Sequence, residues 1–241
     1  MIKNAFKTKN KITTITYIIL NLVFAVTFFV LLYRLIFETD QNNTSIRTDL
    51  ILMLLQSLLG ILSLQLPPLL EKLWRFDFST LFILLYHAFL FCAIFLGEIL
   101  RYYSKVAVWD DILHFSSGIM TGIFGYMLLS VIERNNKNRI KNTAADYGRG
   151  ALTHPATLVL FAFCFAAAVG LLWEIYEFAL DHFFDLNMQK YRLDDGTQFI
   201  GHAALTDTMK DIIIDAVGAL VGALTGAAQF FKPKNTTKTE D

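Results

Sequence analysis

Charge is scarce in this chain: only 17% of its 241 residues are Asp, Glu, Lys or Arg, against 55% hydrophobic. A water-soluble domain needs more polar surface than that, so lipid is the expected solvent. Neither sign of charge is in excess, since 21 basic and 21 acidic residues cancel. That balance, with no basic stripe and no RNA-binding motif, gives no reason to expect a nucleic-acid partner. Cysteine is nearly absent. Cys92 and Cys164 both lie in apolar runs, where they read as small packing residues rather than a disulfide or a zinc knuckle. Proline occurs four times; the Pro67-Pro68 pair removes two backbone donors and predicts a kink or a helix end near a membrane edge. No long apolar stretch alternates with period two, which argues against strands.

What the chain has instead is six apolar stretches, from Ile12 to Phe37, Leu50 to Leu70, Leu81 to Leu100, Ile112 to Ile132, Ala156 to Leu180 and Ile212 to Phe231. Crossing the hydrocarbon takes about 20 helical residues, so each is long enough to span. They predict an all-α membrane protein, a six-transmembrane-helix bundle forming a single domain over residues 1–231, with a flexible cytoplasmic tail over 232–241. Lys3, Lys7, Lys9 and Lys11 precede the first stretch as in a signal peptide. That stretch is about twice a typical signal core and lacks a small-residue cleavage site, so it reads as an uncleaved span.

Lys and Arg set the orientation, because positive loops are retained on the cytoplasmic side. With the N-terminus inside, 14 of the 21 basic residues fall on the tails and on the second and fourth loops, leaving 7 at or near the outer side. Both termini are therefore expected to be cytoplasmic. The starts of spans four and six and the end of span five then face outward together.

Those three ends carry the polar residues that lipid would reject. Span four opens with Asp110, Asp111 and His114, followed on one face by Gly118 and Gly122. Span five ends with Glu174, Glu177 and Asp181, with Gly170 one turn deeper on the same stripe. Span six carries Asp207, Asp211 and Asp215 at four-residue spacing, then Gly218, Gly222 and Gly226. At 1.5 Å per residue Glu174 lies about 10 Å and Asp215 roughly 12 Å from the expected helix ends, so they can meet at one level. Carboxylates at that depth need a partner, a proton or a cation, and glycine faces let helices approach closely enough to supply one.

Several acids around one imidazole favour a cation. Hard oxygen ligands suit Mg, Mn or Ca, and His114 admits Zn or Fe. His114, Glu174, Glu177, Asp211 and Asp215 are the expected metal ligands, and Asp111, His114, Glu177 and Asp211 the expected catalytic groups. Lys210 and Arg101, with Lys105, Lys190 and Arg192 nearby, are expected to engage a lipid head group. Plainer roles stand beside these. Asp207 is expected to cap its helix, His114 to hydrogen-bond Asp110 or Asp111 while neutral, and Glu174 or Glu177 to bridge helices with one carboxyl protonated. His87 reads as core, Glu98 and Arg101 as a local pair, and His154, His182 and His202 as solvated.

Asp110-Asp111-Ile-Leu-His114-Phe115, Trp173-Glu174-Ile-Tyr-Glu177, Gly196-Thr197-Gln198 and Asp207-Thr208-Met209-Lys210-Asp211 resemble the YjdF family of bacterial inner-membrane proteins. A more distant likeness is to VanZ-like proteins, whose Asp-x-x-x-Asn-x-x-Gly ending reads here Asp211-Ile-Ile-Ile-Asp215-Ala-Val-Gly218. A VanZ-like chain usually has Gln where Glu177 stands and Asn where Asp215 stands, so this site is more acidic. The resemblance covers Val108 to Gly226 and implies a multi-pass protein of the bacterial cytoplasmic membrane without naming an activity. Three functions fit the residues: a metal-dependent hydrolase or transferase acting on a lipid or lipid-linked phosphate, a cation or proton transporter, and a non-catalytic interaction or immunity-type protein. A transporter needs polar residues continuing toward the cytoplasm, and below Asp215 span six offers only Thr225 and Gln229.

Overall fold

A computed structural model describes residues 11–38, 44–74, 77–140, 154–193 and 195–230. Helix α1 covers Lys11–Tyr33 and widens into a π-helical turn over Arg34–Glu38. Helices α2, Thr44–Ser63, and α3, Leu66–Trp74, follow. Helix α4, Thr80–Leu90, continues as a π-helix through Phe91–Ile99, and the short α5 spans Tyr102–Lys105. Three long helices complete the chain: α6, Trp109–Ile140; α7, Pro155–Phe184; and α8, His202–Phe230. Six helical segments are long and apolar enough to cross a membrane, and no strand occurs among the described residues. β-branched runs such as Ile12-Thr13-Thr14-Ile15 stay helical because hydrocarbon offers no partner for an open backbone.

The expected ends move where polar turns extend the helices. The second segment runs from Ile46 to Trp74 and breaks at Leu64 and Gln65, so Pro67 and Pro68 sit in the first turn of α3, where their missing donors cost little. Helix α8 starts at His202, ten residues before the apolar stretch, directly after Gly201 at φ 64°. Asp207 is therefore an interior residue of α8 and not the cap expected for it. Helix α7 continues to Phe184, and Asp185 at φ 54° ends it in the left-handed conformation. The last residue of the expected sixth span and the tail over 232–241 lie outside the described residues.

The chain divides into two compact units, residues 1–113 and 114–241, with the division inside α6. In the first, Phe24 is wholly buried with Leu20, Leu64 and Leu90, and its ring fills the space that a Cβ on Gly60 would take. Several polar groups in this unit pair with one another. Tyr17 donates to Gln65 Oε1, the Gln65 amide to Ile61 O, and His87 Nδ1 lies 2.8 Å from Thr16 Oγ1. His87 is thus a hydrogen-bonded core histidine, as expected. Arg101 differs from expectation: its guanidinium bonds Asp49 at 2.7 Å, an acid on another helix, rather than Glu98.

In the second unit, α6 and α8 touch backbone to backbone. A Cβ on Gly118 would lie 2.5 Å from Asp215 O, and one on Gly122 would lie 2.7 Å from Ala219 O. Reciprocally, Gly218 abuts Phe115 O and Gly222 abuts Ile119 O. Helix α7 packs antiparallel on α8, with Ala162 and Ala223 in a core shared by Tyr126, Leu129 and Leu158. His154 caps α7 by accepting the Ala156 N–H, one residue before Pro155 opens the helix. Both cysteine thiols are free, and Cys164 lies on an exposed face of α7, not in the packing expected for it.

Candidate functional site

The close approach of α6, α7 and α8 fixes where the acids go. Asp215 projects from α8 toward Gly170 of α7, whose absent Cβ leaves room for the carboxylate: a Cβ there would lie 2.7 Å from Asp215 Oδ2. Because α7 and α8 are antiparallel, moving one turn along α7 to Glu174 moves one turn back along α8 to Asp211. Glu174 and Asp211 therefore stand level. The longer helices place Glu174 about 15 Å and Asp215 about 20 Å from the nearer helix ends, deeper than the sequence reading had them.

His114 joins the acids from α6. Its Nδ1 lies 3.0 Å from Asp215 Oδ2, and its Nε2 lies 4.0 Å from Asp211 Oδ2. All three side chains are buried, with exposures of 5% for His114, 1% for Asp211 and 3% for Asp215. Ser117, one turn on from His114, donates its hydroxyl to Asp215 Oδ1 at 2.9 Å. Sequence reasoning missed this serine; its spacing of three from His114 on a helix was the available signal. The contact between Nδ1 and Asp215 orients the ring and leaves Nε2 directed at Asp211. Two donors that bind one metal at about 2.0–2.2 Å each lie roughly 3–4 Å apart, which matches the separation of Nε2 from Asp211. His114 Nε2 and Asp211 are thus two candidate metal ligands within this buried group.

The other acids have separate work. Asp181 accepts the backbone N–H groups of Met188 at 2.7 Å and Gln189 at 2.9 Å, tying the loop after α7 to the helix. Asp207 pairs with Lys190 at 3.4 Å. Glu177 accepts the Trp173 indole N–H at 2.8 Å along its own helix. Glu174 is 3% exposed, and neither of its oxygens has a hydrogen-bond partner among the described residues. The loop itself is ordered by Asn187, which bonds both backbone groups of Arg192, and by a small antiparallel bridge between Arg192 and Gln198. Beyond the spans, the Thr197 amide holds the Asp195 carboxyl below the usual carboxylate range.

Of the expected ligands, His114, Asp211 and Asp215 come together; Glu174 stands close enough to His114 and Asp215 to interact with both electrostatically while lining a cavity, and Glu177 bonds Trp173. Asp111 lies on the first turn of α6, three residues before His114, and Asp110 four residues before it, on the same side of that helix. Lys210 stands next to Asp211 in sequence, about 100° around α8. Arg101 bonds Asp49 within the first unit.

Six apolar helices with a buried acid–histidine group define a polytopic membrane protein with a candidate metal site. The family model described as "Predicted membrane protein (DUF2238)" matches residues 16–232, so the chain belongs to that family, which is also the YjdF family. An uncharacterized protein of Thermotoga maritima is 33% identical over 124 residues, 51% of this chain and 50% of that one. The chain thus spans about half the length of the curated relative that it matches. No solved structure matches it.

Proposed function

We propose that this protein holds a divalent cation between His114 Nε2 and Asp211, and uses it on a lipid or lipid-linked phosphate at the outer leaflet of the bacterial cytoplasmic membrane. The observation that carries this reading is the two-sided engagement of His114: Asp215 at 3.0 Å on Nδ1 and Asp211 at 4.0 Å from Nε2, all buried. A carboxylate on the second ring nitrogen fixes the tautomer and strengthens the first as a ligand, which makes Asp215 a positioning residue rather than a ligand. Asp110 and Asp111 precede His114 on the same helix, in its first turn. Bound at His114 and Asp211, Mg, Mn or Zn would polarise a phosphate oxygen or activate water, with Glu177 of α7 as an acid–base group and Lys210 of α8 as a phosphate contact.

The outward placement rests on the distribution of Lys and Arg. Translocation has less support, because below Asp215 the seam between α6 and α8 is closed by backbone contact at Gly118, Gly122, Gly218 and Gly222. The VanZ-like ending adds no activity to the reading, since Asp215 replaces the usual Asn and it is this carboxylate that holds His114.

Metal analysis of the purified protein tests the proposal. About one divalent ion per chain is expected in the wild type, with loss in both His114→Ala and Asp211→Asn. A wild-type protein that neither retains nor takes up Mg, Mn or Zn would overturn it.

A further inference from the structure

A cavity of about 660 Å³ opens between α7 and α8, beside the His114 group. Its walls are apolar: Leu171, Ile175 and Phe178 from α7, and Leu205 and Ile212 from α8. Its floor is polar, and the polar groups there are mostly engaged. Both oxygens of Asp181 accept loop amides, and Gln189 donates Nε2–H to Thr208 Oγ1 at 2.9 Å. Of the two carboxylates in the lining, Glu174 is the one without such bonds. It lines the cavity with the Gln189 amide beside it, yet neither carboxylate oxygen meets hydrogen-bond geometry among the described residues.

The chemistry of the occupant follows from that inventory. A metal ion needs four or more donors, and with Asp181 committed to the loop amides the lining offers it only Glu174 and His182, which falls short of such a set. An ammonium needs only one close anion. It carries three donors, and an attached apolar chain removes the Leu and Ile walls from lipid or water. The Phe178 ring, which lies on the cavity wall, adds a face that attracts cations. A volume near 660 Å³ falls within the range of small-molecule sites, about 300–1,000 Å³.

We propose that this cavity binds an amphiphile with a protonated amine head, the ammonium seated on Glu174 and the chain lying along Leu171, Ile175, Phe178, Leu205 and Ile212. The inference is carried by Glu174 and the cavity walls, independently of the cation held at His114. The amine can belong to a free alkylamine or to an aminated lipid head group, since both present the same charge on an apolar body.

Isothermal titration of the purified full-length protein in a neutral maltoside detergent tests this, with dodecylamine as the probe. Saturable binding is expected, weakened about tenfold or more in Glu174→Gln, which keeps the shape and removes the charge. Leu205→Trp, which fills the chamber from α8 without touching Glu174, is expected to abolish it. Dodecanol and butylamine, which keep the chain or the head alone, are expected to bind at least tenfold more weakly. Displacement of dodecylamine by phosphatidylethanolamine would assign a lipid source, and its persistence a free amine. Dodecanol binding as tightly as dodecylamine, unaltered affinity in Glu174→Gln, or non-saturable uptake would each overturn the proposal.

Discussion

His114 Nδ1 sits 3.0 Å from Asp215 Oδ2 although the two residues are 101 positions apart, and Ser117 braces the same carboxylate through Oδ1. This arrangement makes Asp215 the residue that aims the imidazole. Asp215→Asn keeps the volume but removes the charge, and is expected to lower divalent-metal affinity about 10–100-fold while the protein stays folded. Titration of Mn into wild type and variant measures this. Equal affinities would show that the carboxylate does not orient the ring.

The glycines of the second unit serve two separate purposes, and substitution separates them. A Cβ on Gly222 would overlap the Ile119 carbonyl, so Gly222→Ala must push α6 away from α8 and is expected to cost about 1–3 kcal/mol. Gly196 has nothing within 4 Å, but its φ of 86° is one that side-chain-bearing residues avoid. Gly196→Ala is expected to cost about 1–2 kcal/mol by strain alone. Thermal unfolding in detergent reports both losses. Only Gly222→Ala should also weaken metal binding, because only it moves His114 relative to Asp215.

Much of this fold was legible from hydropathy, because lipid forces each long apolar run into a helix of known length. The grouping of His114 with Asp211 and Asp215 was legible from four-residue spacing on glycine-bearing faces. What one sequence did not carry was the rotation and register of each helix. Glu174 and Asp215 look alike on the page, yet Gly170 admits Asp215 to the imidazole while Glu174 opens into the cavity between α7 and α8. Asp207 resembled a cap because the apolar run starts later than the helix does; Ala203, Ala204 and Leu205 extend α8 back to Gly201, and Lys190 becomes its partner. Arg101 had Glu98 one turn away, but Asp49 lay close on another helix, and no local rule identifies such a partner.

Asp181 anchors the loop that joins α7 to α8. Its two oxygens take the Met188 and Gln189 amides, and those residues lead directly into the Gln189–Thr208 and Lys190–Asp207 contacts with α8. Asp181→Ala leaves two loop amides without acceptors and is expected to cost about 1–3 kcal/mol. Hydrogen exchange at Met188 and Gln189 should accelerate, and cleavage near Gly196 by a protease should rise. Unchanged exchange at both amides would show that the loop holds without this anchor.

The sidedness of the bundle is testable through its most exposed loop residue. Ile200 is 88% exposed between α7 and α8, whereas Lys72 lies in α3 at the end of the second apolar segment. In a chain of six spans these two positions fall on opposite sides of the membrane. The 14 basic residues of the tails and of the second and fourth loops lead to the expectation that the Lys72 side is cytoplasmic. With Cys92 and Cys164 replaced by Ala, Ile200→Cys is expected to react with a membrane-impermeant maleimide in intact cells, and Lys72→Cys only after permeabilisation. The reverse pattern would place the His114 group near the cytoplasmic face, and with it the metal and the amine cavity would draw their ligands from the cell interior.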